Sequence, residues 1–280
     1  MVAGWLRRRF GKRPDSSGGL RLPDDLWQAT LDKYPFLDRG DAGDLQRLRS
    51  LSAAFLDQKE FFGAQELEVT DAMALAVAAQ ACLPLVNLAT GDDPADALRW
   101  YDDFVGIVLH PGEVLARRET QDETGVVHTW SEALTGEAMH EGPVMLSWAD
   151  VDEAGESAAQ GYNVVIHEFA HKLDMRDGEA NGCPPLPPGI FGARSAAEAR
   201  RRWLETLNAE FQTFRDQVQA AERFAGLVPA PWMDPYAAQS PDEFFAVSTE
   251  AYFVSPADLQ QQSPALYELL HRFFRPSADR

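Results

Sequence analysis

The chain predicts an α+β fold, mostly helical around a small central mixed sheet. Two observations predict it. Segments with helical apolar spacing outnumber strand-like segments. The strand-like runs cluster in the middle of the chain, between Phe104 and Trp148.

The elements follow in order. Residues 1–20 read as a flexible leader. From Pro23 to about Leu98 the pattern is mostly helical, with Leu45, Leu48, Leu51, Phe55 and Leu56 on one stripe. Met73 to Leu88 is a second apolar helix. Phe104–Leu109, Val126–Trp130 and Gly142–Trp148 read as strands, with turn chemistry at Leu134–Glu137. A helix is expected from about Ala158 to Leu173. Pro184, Pro185, Pro187 and Pro188 keep the loop 178–195 from being helical through its middle. Ala196–Phe224 is a long helix, and 229–235 is irregular. Helices from about Pro241 to Phe253 and around Pro264–Phe274 close the chain.

Composition supports a folded core: 45% of residues are hydrophobic and 10% aromatic. Net charge is −19, unevenly spread. Arg7, Arg8, Arg9, Lys12 and Arg13 fall in the first thirteen positions, which contain no acid, and this leaves 20 bases against 44 acids in residues 14–280. So acidic a body repels phosphate backbones, which argues against direct nucleic-acid binding. Pro14–Gly19 follows the basic cluster where a signal peptide needs an apolar run. The apolar stretch Met73–Ala89 is short and broken by Gln80, Pro84 and Asn87, so it reads as a buried helix rather than a membrane span. Two cysteines, Cys82 and Cys183, suit a reducing cytoplasm.

His167-Glu168-Phe169-Ala170-His171 carries the chemistry. It matches H-E-x-x-H inside a segment that is helical on independent grounds. Residues four apart share a face about 6 Å apart along the axis, so both imidazoles can meet one tetrahedral Zn²⁺. Glu168 is rotated by about 100° and reaches a zinc-bound water, from which it can take a proton as general base. His110, His128, His140 and His271 are scattered and read as surface or satisfied histidines.

The third ligand is less direct. The metzincin pattern needs Gly and His where Asp174 and Asp177 stand, which excludes that class. Asp174 lies about 10.5 Å along the axis from His167, too far past the ion. It is expected to orient a ligand imidazole or anchor the helix end. The remaining candidates lie downstream. Glu243, Val247 and Glu250 share one face, with Ala246 beside them to allow close approach. Glu243 also completes a capping box with Ser240 and Pro241, and Glu250 also reads as a histidine partner. The residues alone leave the ligand role open between the two.

The runs Gly161–Asp174, Asp234–Ala238 and Glu243–Phe253, with the strand Gly142–Trp148, resemble the Mlc titration factor A family of bacterial cytosolic zinc metallopeptidases. The resemblance is most specific over about 140–255. It implies a gluzincin-like zinc-peptidase core, distantly similar to the anthrax lethal factor catalytic domain. By position it implies His167, His171 and Glu243 as ligands of one Zn²⁺ and Glu168 as the base. It also implies Tyr236 as an oxyanion donor; without it Tyr236 reads as a turn residue. It further implies aminopeptidase activity, a peptide substrate and binding to the glucose repressor Mlc, a DNA-binding protein. The Gly-x-Met-x-Asn signature of another aminopeptidase family is absent.

The expected function is therefore a zinc-dependent peptidase, an aminopeptidase by resemblance, acting through a Glu168-activated zinc-bound water. The alternative is a non-catalytic anti-repressor with a structural or vestigial zinc site. The expected organisation is the leader 1–20, then a single zinc-peptidase domain over 21–280. That domain divides into an N-terminal helical and strand part (21–140) and a zinc-site part (141–280). Strand 143–148 is the candidate edge for pairing with an extended peptide, and the loop 178–195 is expected to border and gate the cleft.

Overall fold

The computed structural model describes residues 20–88, 93–112, 114–121, 127–134, 136–138, 142–187, 189–224 and 226–276. The basic leader up to residue 19, Val126 and His140 lie outside these, as does the side chain of His128.

Ten α-helices and six strands are present among the described residues. Helices α1 (Asp24–Lys33), α2 (Ala42–Gln58) and α3 (Asp71–Cys82) come first, with strand β1 (Glu60–Gly63) between α2 and α3. Pro84 ends α3 in a short 3₁₀ turn, Leu83–Leu85, so the helix stops at Cys82, six residues before the expected end at Leu88. Helix α4 (Pro94–Leu98) leads to β2 (Gly106–His110). Strands β3 (Val114–Gln121) and β4 (Val127–Leu134) form a separate antiparallel pair. Then come β5 (Gly136–Ala138) and β6 (Val144–Ser147).

The main sheet runs β1-β2-β6-β5. β1, β2 and β6 are parallel, with Phe61 opposite Ile107 and Ile107 opposite Val144. β5 is antiparallel to β6, so the sheet is mixed, as the sequence predicts. The strand expected to be an edge, 143–148, is not one: β6 is paired on both sides, and β5 is the edge next to it. Its sequence is mostly apolar, and Val144, Leu146 and Ser147 are buried.

The helix expected over 158–173 also differs. Ser147 caps α5 (Trp148–Ser157), which ends through a 3₁₀ turn at Gly161, φ +81. Asn163 then caps a new helix, α6 (Val164–Asp174), its Oδ1 accepting from Ile166 N at 2.9 Å. A left-handed glycine and an N-cap two residues later explain the break. Helices α7 (Ala196–Arg223), α8 (Pro241–Val254), α9 (Pro256–Gln262) and α10 (Pro264–Phe274) complete the chain.

α6 is the buried centre. Val164, Val165, Ile166, Phe169, Ala170 and Leu173 are all buried. Phe169 meets Phe55, Tyr101 and Phe104 at ring-centroid separations of 5.7, 4.9 and 5.9 Å. Lys172, fully buried, donates to Asp103 Oδ2 and Gly142 O, both at 3.1 Å, and so ties α6 to the segment entering β6. α8 packs against α6 and is buried from Phe244 to Tyr252. Among the described residues no helix is long and apolar enough to cross a membrane.

Candidate metal centre

His167 and His171 project from one face of α6, with ring centroids 4.8 Å apart. Their Nε2 atoms are 3.2 Å apart. Glu243, in the first turn of α8, points its Oε2 at both, 3.2 Å from His167 Nε2 and 3.4 Å from His171 Nε2. Oε2 is buried and accepts no well-formed hydrogen bond among the described residues, despite those short distances. The contacts are close but not aligned as N–H···O bonds, so we read them as lone pairs converging on one point.

The triangle has a metal's dimensions. Tetrahedral bonds of roughly 2.0–2.1 Å place neighbouring ligand atoms roughly 3.3–3.4 Å apart. The three observed edges are 3.2, 3.2 and 3.4 Å. Two imidazole nitrogens and a carboxylate oxygen suit a divalent cation of zinc's type. The same three residues are the one metal-competent group among the described residues.

Glu243 and Glu250 take different places around the histidines. Ser240 makes no side-chain cap bond, so Glu243 is not engaged in a capping box. Glu250 reaches the far nitrogen of the same ring instead: its Oε1 lies 2.7 Å from His167 Nδ1. Its Oε2 accepts from the Asn163 backbone N–H at 2.5 Å. A carboxylate on Nδ1 fixes the tautomer that leaves Nε2 a lone pair. Asn163 and its partner Gln80 escaped the sequence reading; the available signal was a lone amide in the apolar run of α3.

Glu168 is 5% exposed, beside both histidines on α6. Burial raises its pKa, which moves a carboxylate toward the range useful in a general base. Burial raises that of Glu250 as well. Burial opposes ionisation of Glu243, but the imidazoles outweigh it and hold its carboxyl well below the usual range. Burial likewise opposes charge on His167, and Glu250 and Glu243 together raise its pKa well above the ordinary imidazole value.

Tyr236 follows the irregular segment, in the 3₁₀ turn Pro235–Ala238 that Asp234 caps. Its phenol donates to Glu243 Oε1 at 3.1 Å, and its ring centroid is 6.1 Å from that of His167. Asp174 takes the helix-anchoring place: Oδ2 accepts from Asn181 N at 2.8 Å and Gly182 N at 2.7 Å. Burial pushes its carboxyl up to about 6.

Gly182 in turn accepts from Trp203 Nε1 at 2.7 Å through its carbonyl. Residues 181–183 of the proline-rich loop are thus pinned, and are not the part a gate would move. His271 bonds the Tyr252 hydroxyl at 3.0 Å, as a satisfied histidine. His110 differs from expectation: both ring nitrogens are buried without a partner among the described residues.

Comparison with known proteins accords with this geometry. A family model described as glucose-regulated metallo-peptidase M90 matches residues 5–275. Mlc titration factor A of Pectobacterium atrosepticum is 33% identical over 250 residues, covering 89% of this chain and 85% of the relative. The protein of that name from Klebsiella pneumoniae subsp. pneumoniae is 31% identical over 265 residues, 94% and 89% of the two chains. That from Edwardsiella ictaluri is 34% identical over 231 residues, 82% and 79%. The chain belongs to the glucose-regulated metallopeptidase M90 family.

Proposed function

We propose that this chain is a zinc-dependent peptidase, with His167, His171 and Glu243 holding one Zn²⁺. The convergence of three ligand atoms at tetrahedral spacing carries the reading. Bound there, the ion supplies Lewis acidity to a scissile carbonyl and lowers the pKa of water. Glu168, buried beside the two histidines, accepts the water's proton and passes it to the leaving amine. Tyr236, now bonded to Glu243, is in reach of the site and donates to the oxyanion that develops on the substrate. Glu250 holds the His167 ring.

The substrate is proposed to be a peptide. The β5 edge supports this: among the described residues its one strand partner is β6, and α6 packs against it. An extended chain can add to that edge by main-chain hydrogen bonds. Exopeptidase action on a free N-terminus rests on the family resemblance. A single domain over 21–280 is supported by one buried core running from Leu22 to Phe274. A cytoplasmic location is supported by two buried free thiols.

A second activity, binding of a DNA-binding repressor of the Mlc type, is favoured by the relatives' name and by the net charge of −19. An acidic surface complements a basic DNA-reading face. In the non-catalytic alternative this binding stands alone. Glu168 and Tyr236 argue against that alternative, because a structural zinc site needs neither.

Metal analysis with a peptide screen tests the main reading. One zinc per chain, with hydrolysis of free but not N-acetylated peptides, is the expected outcome. Zinc without hydrolysis, and repressor binding that survives metal removal, would favour the anti-repressor instead.

A further inference from the structure

Helix α3 is buried without a break from Met73 to Cys82 and apolar there except at Gln80, which is fully buried too. An amide in such a place costs stability unless it is bonded. Gln80 Oε1 accepts from Asn163 Nδ2 at 2.8 Å, while Gln80 Nε2 has no partner among the described residues. An aliphatic side chain of that size would leave no such orphan, so packing alone does not account for the residue.

The bond leads to the metal centre. Asn163, also fully buried, uses Oδ1 to cap α6 and its backbone N–H to hold Glu250 Oε2. Glu250 Oε1 holds His167 Nδ1. Gln80, Asn163, Glu250 and His167 thus form one continuous path through α3, α6 and α8.

We propose that Gln80 is a positioning residue for the metal ligand His167, acting through Asn163 and Glu250. This rests on the reading of His167 as a ligand. Gln80 engages the Asn163 amide and so keeps its Nδ2 from competing for Glu250. The carboxylate is then left to the Asn163 backbone N–H and to His167 Nδ1. Without Gln80, Nδ2 is a buried donor in need of an acceptor, and Glu250 is the nearest in the path. A turned Glu250 frees the imidazole, and Nε2 no longer faces Glu243 and His171.

The test uses the full chain with Gln80→Met, which keeps length and removes the acceptor. Zinc affinity is measured by chelator competition, ligand geometry by the absorption bands of the Co²⁺-substituted protein, and stability by thermal melting. Leu51→Ala, a core truncation in α2, a helix that carries no member of the path, controls for general destabilisation. Gln80→Met is expected to weaken zinc binding roughly ten- to a hundredfold, as partners of metal-ligating histidines do, and to shift the cobalt bands. Leu51→Ala is expected to lower the melting temperature while leaving both unchanged.

Should Gln80→Met not fold, Gln80→Leu, which suits the apolar helix, removes the same acceptor and tests the same path, with the same loss expected. Unchanged zinc affinity and cobalt bands in the folded variant overturn the proposal. So does a loss matched by Leu51→Ala at equal destabilisation. A wild-type chain that takes up no zinc overturns the metal-site reading and this proposal with it.

Discussion

The Tyr236 hydroxyl donates to Glu243 Oε1 at 3.1 Å, while the other oxygen of that carboxylate faces His167 and His171. One side chain therefore joins the phenol to the candidate ligand triangle. The bond aligns the carboxylate and stores the phenol within reach of the site. Both roles use the hydroxyl, so Phe removes both while keeping the ring, and metal content and kcat read them out separately.

Tyr236→Phe is expected to lower kcat by roughly 10²–10³, the cost of losing one oxyanion donor. Metal content is expected to stay at the wild-type level, since the three ligand atoms remain. Steady-state kinetics with metal analysis on the same samples checks both. Loss of zinc with loss of activity would make Tyr236 a brace for Glu243 rather than a donor to substrate.

Glu243 and Glu250 touch opposite nitrogens of one imidazole, so their amides are expected to differ. Glu243→Gln removes a ligand charge and is expected to abolish stoichiometric zinc binding. Glu250→Gln leaves all three ligand atoms and is expected to weaken affinity by roughly 10–100-fold. Chelator competition gives the order; equal losses in both variants would contradict the assignment.

Gly182 sits at φ +74, and an added Cβ would lie 2.5 Å from the Pro241 carbonyl oxygen and 2.8 Å from Leu207 Cδ2. Pro241 begins α8, two residues before Glu243. Gly182→Ala is expected to cost about 1–3 kcal/mol from backbone strain and crowding. Denaturant unfolding measures it; a neutral substitution would show that the loop adjusts freely against α8.

Lys59 supplies a pH dependence away from the metal. It is 5% exposed and donates to the carbonyls of Tyr101 and Phe104. Burial lowers its pKa from 10.5 to about 8, against the attraction of Asp103 and Asp102 and with the repulsion of Lys172. The folded state releases this proton first. Its stability contribution is therefore present above pH 10.5 and is lost as pH falls through 8. At about 1.4 kcal/mol per pH unit the change is about 3 kcal/mol. Lys59→Met is expected to remove that rise from the difference between unfolding free energies at pH 7.5 and pH 10. An unchanged slope would contradict the assignment.

The sequence makes the helices and the histidine pair legible because both rest on short periodicities. His167 and His171 need only one helical turn to share a face. It leaves Glu243 and Glu250 open because both lie on the inner face of α8, and only the crossing of α8 over α6 sends one to Nε2 and the other to Nδ1. β1 is hidden because four residues between two helices carry little pattern. The helix expected over 158–173 overran Gly161 and Asn163, although both are break signals in themselves. Gln80 is visible as an oddity in α3, but its partner lies 83 positions away.

Glu168→Gln, compared with the wild-type chain, tests the central claim most directly. The substitution keeps size and removes the base, and none of the three ligand atoms changes. Both proteins are loaded with zinc, their metal content is measured, and hydrolysis is followed on one panel of aminoacyl and peptide substrates. The account predicts one zinc per chain in both, with hydrolysis in the wild type and none above background in the variant. Wild-type turnover by the zinc-loaded Glu168→Gln protein would contradict it.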